Sequence, residues 1–358
     1  VRCSIWALIE DLTRWLCSIG TETPTRLTCW RSLCVNIDLH MQNGRCKRCL
    51  GVVGATFVFM SFPAGHTDTE LASAGGSIAH VLAVAIEPSR LAAGLVDANG
   101  ELLLRDRVTT PTRDVWRTLE QLIRRIIAAA PPGLPRPRAV GASCVGAVDT
   151  RAGTVSPPLV PAWTNFALRE HLERLTGLEV ELDSAGGAAT EAERWIGEAR
   201  GVPSYLSLRI DTTVESGCVI DGVRLSGAHG NAASIAHVNV EPGGKRCRCG
   251  AFGCLEAYVS STALEAEFNR PLGRVTQPMV ERTGIMLARA VASMCATLDV
   301  TTVFLSGNVI DVLGDPILEA FHRELAVRSR LRSLQGLKII EPHERIWPLI
   351  AAASLALN

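Results

Sequence analysis

The feature that most constrains this chain is a cluster of metal-binding residue types in its second half. His237, Cys247, Cys249 and Cys254 fall within eighteen residues, with glycines between the last two cysteines. Three thiolates and one imidazole at this density suit a tetrahedral zinc ion. Because four protein ligands fill a tetrahedral site, the motif predicts a structural zinc rather than a catalytic one. The fold must therefore bring these four residues to one point.

The cysteines also divide the chain, because six of the twelve lie between Cys3 and Cys49. Residues 1–75 hold no helical or strand periodicity for long, so we interpret them as an atypical N-terminal segment. One interpretation is a misassigned translation start, with Met60 as the true beginning, or a disordered extension. Another is a DNA-binding helix-turn-helix. Cys46 forms a lone CxxC pair with Cys49, which is a weak metal signal.

From residue 80 onward, apolar runs and helical periodicities alternate in two successive rounds. This order predicts two related α/β subdomains with a cleft between them, over 78–185 and 186–358, and a last helix that returns to the first subdomain. The predicted strands cover 81–86, 91–96, 101–108, 139–145, 179–182, 205–210, 217–221 and 302–305. The predicted helices cover 114–129, 166–176, 187–199, 279–298 and 309–326.

The charge balance narrows the classes of function. The chain has 36 basic and 36 acidic residues, and its formal net charge of zero argues against a general electrostatic grip on nucleic acid or anionic membrane. No apolar stretch is long enough to span a bilayer, and no secretory signal is recognisable. We therefore expect a cytoplasmic protein, and we expect neither a membrane nor DNA as its partner.

The zinc motif resembles a known family once its surroundings are included. The stretch Gly227-Ala-His-Gly-Asn231 is followed by Ile235-Ala-His237 and by CxCGxxGCLE, which ends at Glu256. This succession resembles the signature of the ROK family of sugar kinases and sugar-responsive repressors. The resemblance extends from about Val81 to the alanine-rich C-terminal segment. It implies a two-domain, actin-like ATPase fold of the hexokinase or ribonuclease H-like type, with a zinc-braced loop.

The resemblance also implies roles for individual residues. His237 would be both a zinc ligand and a neighbour of the sugar, and Glu256 would accept hydrogen bonds from sugar hydroxyls. Gly217 and Gly307 are what remains of the glycines that would approach a nucleotide. A plainer interpretation of Glu256 is an acid at a helix N-terminus, where it would favour the helix dipole. Family members are commonly dimers or tetramers, so the resemblance implies a homo-oligomer that binds a sugar or sugar-like ligand.

The loops that would hold the phosphates depart from the family pattern. Where the first loop of the family resembles Asp-Ile-Gly-Gly-Thr-Lys, this chain has Ala85-Ile-Glu-Pro-Ser-Arg90. Where the second resembles Gly-Thr-Gly-Val-Gly-Gly-Gly, it has Asp211-Thr-Thr-Val-Glu-Ser-Gly217. Proline lacks an N–H and carboxylates repel phosphate, so both loops are expected to hold a nucleotide poorly.

Phosphoryl transfer also needs a carboxylate that accepts the proton of the attacking hydroxyl. Counting back from Trp195 places the family base at Ala185, which cannot accept a proton. Asp183 is the remaining candidate, predicted on the same side of a strand as Ala185 and about 6–7 Å from it. Two sugar contacts of the family are replaced as well, by Leu159 and Ser234.

Four functions fit these residues to different degrees. The leading hypothesis is a catalytically impaired, kinase-like protein that binds a sugar or acts through a partner. The second is a working ATP-dependent sugar kinase of the glucose or N-acetylhexosamine type, with rearranged catalytic groups and with ATP and Mg²⁺ as cofactors. The third is a repressor whose first 75 residues bind DNA. A reactive-thiol enzyme ranks last, because Cys144 and Cys218 sit in apolar segments and are expected in the core.

Overall fold

The computed structural model describes residues 80–343 and 346–357. The expectations for residues 1–75, namely the start at Met60, the helix-turn-helix and the Cys46–Cys49 pair, lie outside the described residues. The described residues form one compact unit. No helix in the part that the structure describes is long and apolar enough to cross a membrane.

Two five-stranded sheets with the same strand order form the frame. In each sheet, three consecutive antiparallel strands are extended by two parallel strands, which agrees with the two rounds predicted from the sequence. In spatial order, the first sheet contains β3 (Leu102–Thr109), β2 (Arg90–Asp97), β1 (His80–Ile86), β4 (Val140–Cys144) and β7 (Val180–Ser184). The second contains β10 (Val223–Arg224), β9 (Val214–Ile220), β8 (Tyr205–Ile210), β11 (Thr302–Ser306) and β12 (Lys338–Ile340). A small hairpin pairs β5 (Ala147–Asp149) with β6 (Thr154–Ser156).

Nine helices are described between residues 80 and 357. The single helix predicted over 309–326 is wrong, because Gly314 interrupts it with φ +57° and ψ −147°, a conformation outside the helical region. Two helices, over Asn308–Leu313 and Asp315–Arg328, replace it. The helices are α1 (Val115–Ala128), α2 (Leu168–Thr176), α3 (Ala185–Trp195), α4 (Glu256–Val259), α5 (Ser261–Phe268), α6 (Gln277–Leu298), α7 (Asn308–Leu313), α8 (Asp315–Arg328) and α9 (Pro348–Leu357).

Helices cover both faces of the first sheet, and this explains the unbroken apolar run of β1. Leu82, Val84 and Ile86 pack in the same cluster as the buried face of α1, while Val81 and Ala85 pack against α9 on the other face. A strand that is buried on both faces needs apolar residues at every position rather than at alternate ones.

The C-terminal helix α9 packs closely on the first sheet. It contacts β1 and β4, and a side chain at Gly141 of β4 would collide with the backbone of Ala352. It also packs against α3, so it ties that helix to the sheet. The subdomain ranges 78–185 and 186–358 stay a prediction.

Candidate functional site

Two hairpin turns at equivalent places in the two sheets line one cavity. The β1–β2 hairpin turns at 87–89 and the β8–β9 hairpin at 211–213. Because the two sheets share one strand order, these turns are structural counterparts. They border a cavity of about 430 Å³, which we name the loop cavity. It is lined by 86–90, Ser143, Val145, Ala185, Arg209, 211–213, Ser261, Asn308, Pro348 and Ala351.

In the loop cavity, the carboxylate of Asp211 already binds the groups that a bound anion would otherwise contact. Oδ1 of Asp211 accepts the backbone N–H of Asn308 at 2.6 Å, and Oδ2 of Asp211 lies 2.7 Å from Nε of Arg209. Asn308 begins α7, so its N–H has no partner within the helix. Backbone N–H groups and guanidinium groups are also what a phosphate would bind. Asp211 therefore competes with a phosphate for both.

The first hairpin turn adds a second acid to the loop cavity. Burial raises the pKa of Glu87, while the neighbouring Arg209 and Arg90 oppose the rise. Pro88, next to it, has no N–H to offer. Ala85, where the family resemblance places an aspartate, is buried beneath α9.

The structure separates Asp183 from Ala185. The expectation that both lie on one side of a strand is wrong, because β7 ends at Ser184 and Ala185 is the first residue of α3. Ser184 caps the helix by accepting the N–H of Gly187 at 3.0 Å, which ends the strand there. Ala185 lines the loop cavity, whereas Asp183 lines neither that cavity nor the pocket described below.

Asp183 forms a buried ion pair with Arg224 of β10. It is 2% exposed, accepts the N–H of Ser184 at 2.6 Å, and shares Arg224 with Glu191 of α3, whose Oε1 lies 3.2 Å from the Arg224 Nε. Burial raises the pKa of Asp183, and the positive charge of Arg224 opposes this. The Asp183 carboxylate is therefore already paired with the Arg224 guanidinium.

The two glycines expected at the nucleotide do not line the loop cavity. Gly217 lies within β9, where a side chain would collide with Thr190 of α3. Gly307 has φ +119° at the start of α7, and a side chain there would meet the backbone of Ile210. Packing between elements explains both glycines.

The predicted metal ligands come together at one point. One ligand atom from each of His237, Cys247, Cys249 and Cys254 lies within 4.8 Å of the others. Sγ of Cys249 is 3.7 Å from Sγ of Cys254, and Sγ of Cys247 is 3.7 Å from Nδ1 of His237. Two sulfurs bound at about 2.3 Å to a tetrahedral zinc would be about 3.8 Å apart, and a sulfur and a nitrogen about 3.6 Å. The donor set and its spacing fit zinc.

Backbone pairing folds residues 237–254 back on themselves, and we name this segment the metal loop because it contains the four candidate ligands. Isolated bridges join Asn239 to Cys254 and Arg246 to Phe252, so backbone pairing positions the cysteines. Gly253 has φ +77°, and a side chain there would collide with the carbonyl oxygen of Glu241. Only glycine fits this turn without strain.

Glu256, two residues beyond the last cysteine, is the first residue of α4. Its Oε2 accepts the backbone N–H of Val214 at 2.8 Å, which ties α4 to the start of β9. Burial raises its pKa, and the Val214 N–H and the charge of Arg248 oppose the rise. Nη2 of Arg248 lies 4.0 Å from the other carboxylate oxygen, Oε1.

A second cavity, of about 600 Å³, adjoins the metal loop and the loop cavity, and Thr213 lines both cavities. We name it the glutamate pocket because Glu215 and Glu256 both line it. Glu256 and His237, to which the family resemblance assigns a sugar, both line it, whereas Leu159 lies outside it. The polar residues of its wall are Ser156, Ser184, Thr213, Glu215, Ser216, Asn231, Ser234, His237, Arg248, Cys249 and Glu256.

Glu215 was recognised in the sequence only as a lost loop glycine, but it is a buried acid of this pocket. It is 8% exposed, and burial raises its pKa to about 7. The hydrogen bond from Thr213 and the charge of Arg209 oppose the rise, while negative charge on Glu256 and Asp211 adds to it. Arg224 was missed as well, since no local pattern marks it. An arginine just beyond the strand predicted over 217–221 is ordinary unless its buried partner is known.

Replacing Glu215 by glutamine is expected to reduce the pH dependence of stability. The pKa of Glu215 is about 7 in the folded protein against 4.5 as its ordinary value, so the folded state binds an extra proton between these values. The stability that this proton provides is lost as the pH rises towards 7. From pH 5 to pH 8, the free energy of unfolding of the variant should rise by about 2 to 3 kcal/mol relative to that of the parent.

Urea unfolding at the two pH values, with zinc in excess, measures this difference. The variant and the parent are compared at each pH, so loss of metal at low pH affects both. Glu319→Gln, which removes an exposed acid of α8, should keep the same offset from the parent at both pH values. An offset for Glu215→Gln that is equally constant would contradict the raised pKa.

Comparison with known proteins identifies the family. The ROK family model matches residues 81–335. The glucokinase of Thermotoga maritima is 37% identical over 175 residues, which cover 48% of this chain and just over half, 54%, of that relative. The ROK hexokinase of Thermus thermophilus is 29% identical, with a TM-score of 0.65 over 77% of this chain and 97% of its own.

A Streptomyces griseus ROK glucokinase, solved with glucose and AMPPNP, shares the fold at 23% identity, with a TM-score of 0.64 over 77% of this chain and 98% of its own. The mixed α/β frame with its repeated strand order thus matches ROK sugar-kinase structures, which are of the actin-like ATPase type. The family model alone covers well over half of the chain. The chain therefore belongs to the ROK family.

Proposed function

We propose that this protein is a sugar-binding member of the ROK family in which phosphoryl transfer is lost or strongly impaired. The observation that carries the proposal is the loop cavity, where Asp211 holds both the Asn308 N–H and the guanidinium of Arg209. A nucleotide phosphate would have to displace this carboxylate and then lie near Glu87 and Pro88. Like charge and a missing N–H both oppose that exchange.

Sugar binding is supported by the glutamate pocket. Glu256 and His237 line it together with serine, threonine and asparagine side chains, a polar wall suited to hydroxyl groups. Its volume of about 600 Å³ falls in the range of small-molecule sites. The solved Streptomyces griseus relative was bound to glucose, which supports a sugar as the ligand class.

We infer that His237, Cys247, Cys249 and Cys254 hold a structural zinc. All four tetrahedral positions would be filled by the protein, so the metal would brace the loop and would not touch a reacting group. The loop places His237 and Arg248 in the wall of the glutamate pocket, so the metal would shape that pocket indirectly. By family resemblance we also propose a dimer or tetramer.

A working ATP-dependent sugar kinase is the second candidate, and the position of Asp183 favours it. Asp183 lies at the end of β7, directly before α3, and its neighbour Ser184 lines the glutamate pocket. Release from Arg224 would free its carboxylate to accept a proton from a sugar hydroxyl. ATP and Mg²⁺ would then be required. The repressor hypothesis depends on residues 1–75, which lie outside the described residues.

Sugar binding without turnover is the expected result for the full-length protein. Calorimetry with a panel of hexoses, hexosamines and N-acetylhexosamines should detect binding of at least one sugar. Glu256→Gln should weaken that binding about tenfold, since a hydrogen bond from a hydroxyl to a charged acceptor is worth about 1.5–3 kcal/mol. ADP formation with MgATP and the same sugar should stay at the level of the sugar-free control.

Sugar-dependent ADP formation that Asp183→Asn abolishes would overturn the impaired-kinase proposal in favour of the second candidate. An unchanged sugar affinity in Glu256→Gln would show that the sugar does not bind in the glutamate pocket. Glu319→Gln serves as the control for loss of one negative charge.

A further inference from the structure

Glu215 presents an unsatisfied carboxylate oxygen to the glutamate pocket. The side chain is more than nine-tenths buried, and Oε1 accepts the hydroxyl of Thr213 at 2.8 Å. Within residues 80–343 and 346–357, the Thr213 hydroxyl is the one hydrogen-bond donor to this carboxylate, so Oε2 accepts none, and Glu215 lines the pocket. A buried polar group of this kind is costly unless a ligand or water satisfies it.

Neighbouring positive charges do not neutralise this carboxylate. Arg209 is the cross-strand partner of Glu215, but its Nε lies 2.7 Å from Asp211, and no ion pair joins it to Glu215 in the described part of the chain. Arg248 lies 4.0 Å from Glu256, and no ion pair joins it to Glu215 in the described residues. Burial raises the pKa of Glu215 to about 7 despite the Thr213 hydrogen bond, so its negative charge is held at a cost.

A protonated amine would supply both a hydrogen-bond donor for Oε2 and a positive charge for the Glu215 carboxylate. An ammonium group brings three N–H donors and a positive charge, whereas a sugar hydroxyl brings one donor and no charge. A charge-assisted hydrogen bond is roughly twice as strong as a neutral one, and it gains further in a buried site. An N-acetyl group would offer one neutral N–H and a bulky carbonyl, which suits a lone carboxylate oxygen less well.

We propose that the glutamate pocket binds a sugar that carries a free, protonated amino group, with the ammonium donating to Oε2 of Glu215. Hydroxyl groups of the same sugar would reach Glu256. This inference rests on the proposed sugar-binding function and names the ligand class. Glu215 replaces a glycine of the family pattern, so the preference would be particular to chains that carry an acid at this position.

Calorimetry at pH 7 with the full-length, zinc-loaded protein tests the proposal. The probes are glucosamine, galactosamine and mannosamine, each compared with its parent hexose and its N-acetyl derivative. At least one free amine should bind at least tenfold more tightly than both of its counterparts. Glu215→Gln keeps the shape of the side chain and should abolish this preference, while Glu319→Gln should retain it.

The outcomes separate this inference from the function on which it rests. Equal or tighter binding of the hexose or the N-acetyl sugar, or an amine preference that survives in Glu215→Gln, would overturn the amine proposal and leave sugar binding intact. Failure of every sugar to bind would overturn both. A cooperative melt and unchanged zinc content in Glu215→Gln would show that the variant is folded, and a Glu215→Gly variant with the family residue gives an independent second measurement.

Discussion

Replacing Cys254 by alanine is expected to unfold the domain that the structure describes or to leave it aggregated. The four ligand atoms lie within 4.8 Å of one another, so a bound zinc would join the Ile235–His237 turn to the cysteine loop. Structural zinc contributes about 10–16 kcal/mol of apparent binding free energy, which is comparable to the whole stability of a domain. Loss of one thiolate removes a large share of it.

Cys295→Ala provides a matched control for this variant. Cys295 is also fully buried, but it lies in α6 and outside the cluster. Its replacement should cost about 1 kcal/mol, the size of a small cavity. Thermal melting and zinc content are measured for both variants and the parent. Because six further cysteines lie between Cys3 and Cys49, the informative quantity is the difference in zinc, which should be one atom per chain.

Equal melting temperatures and equal zinc content for the two variants would contradict the zinc assignment. A loss of zinc with an unchanged melting temperature would support the metal site but contradict its structural role. Addition of a strong chelator to the parent should reproduce the Cys254→Ala behaviour, since the metal and not the side chain supplies the stabilisation.

Restoring the family glycines in both hairpin turns should increase the affinity for MgATP at least a hundredfold. The variant combines Glu87→Gly, Pro88→Gly and Asp211→Gly, all of which line the loop cavity. Removal of two carboxylates relieves repulsion of a few kcal/mol each at short range, and removal of the proline returns an N–H. Loss of Asp211 also frees the Asn308 N–H and the Arg209 guanidinium for a phosphate.

Nucleotide binding is measured by calorimetry with a non-hydrolysable ATP analogue, with and without sugar. The control variant replaces two exposed acids, Glu101 and Glu319, by glutamine, so the net charge changes equally without a change in the cavity. Its affinity should match that of the parent. Parent protein that already binds the nucleotide as tightly as the glycine variant would contradict the impaired-kinase proposal and favour the kinase.

Much of the secondary structure could be predicted because it depends on local patterns. Apolar spacing predicted a helix over 114–129, and α1 covers Val115–Ala128; the strand predicted over 205–210 is β8. The helix predicted over 309–326 was wrong because the backbone of Gly314 leaves the helical region there, which apolar spacing does not reveal. The clustering of the four candidate metal ligands could be predicted for the same reason, since eighteen residues of chain contain them all.

The electrostatic state of the acids could not be predicted. Asp183 is paired with Arg224, which lies 41 residues away, and Asp211 is bonded to Asn308, which lies 97 residues away. Neither partner has any pattern that points to the other. In the sequence, Glu215 stood only for a glycine missing from a phosphate-binding loop. In the structure, it accepts a hydrogen bond from Thr213 and lines the glutamate pocket, where we propose that it binds a ligand.

The sequence by itself determined the family, the alternation of strands and helices, and the set of candidate zinc ligands, because each is encoded in short stretches of chain. Only the tertiary structure decided which carboxylates are buried, which are matched by an arginine, and which face a cavity with a free oxygen. Burial and ion pairing depend on residues brought together from distant parts of the chain, and for buried acids such contacts set the free energy of holding a charge.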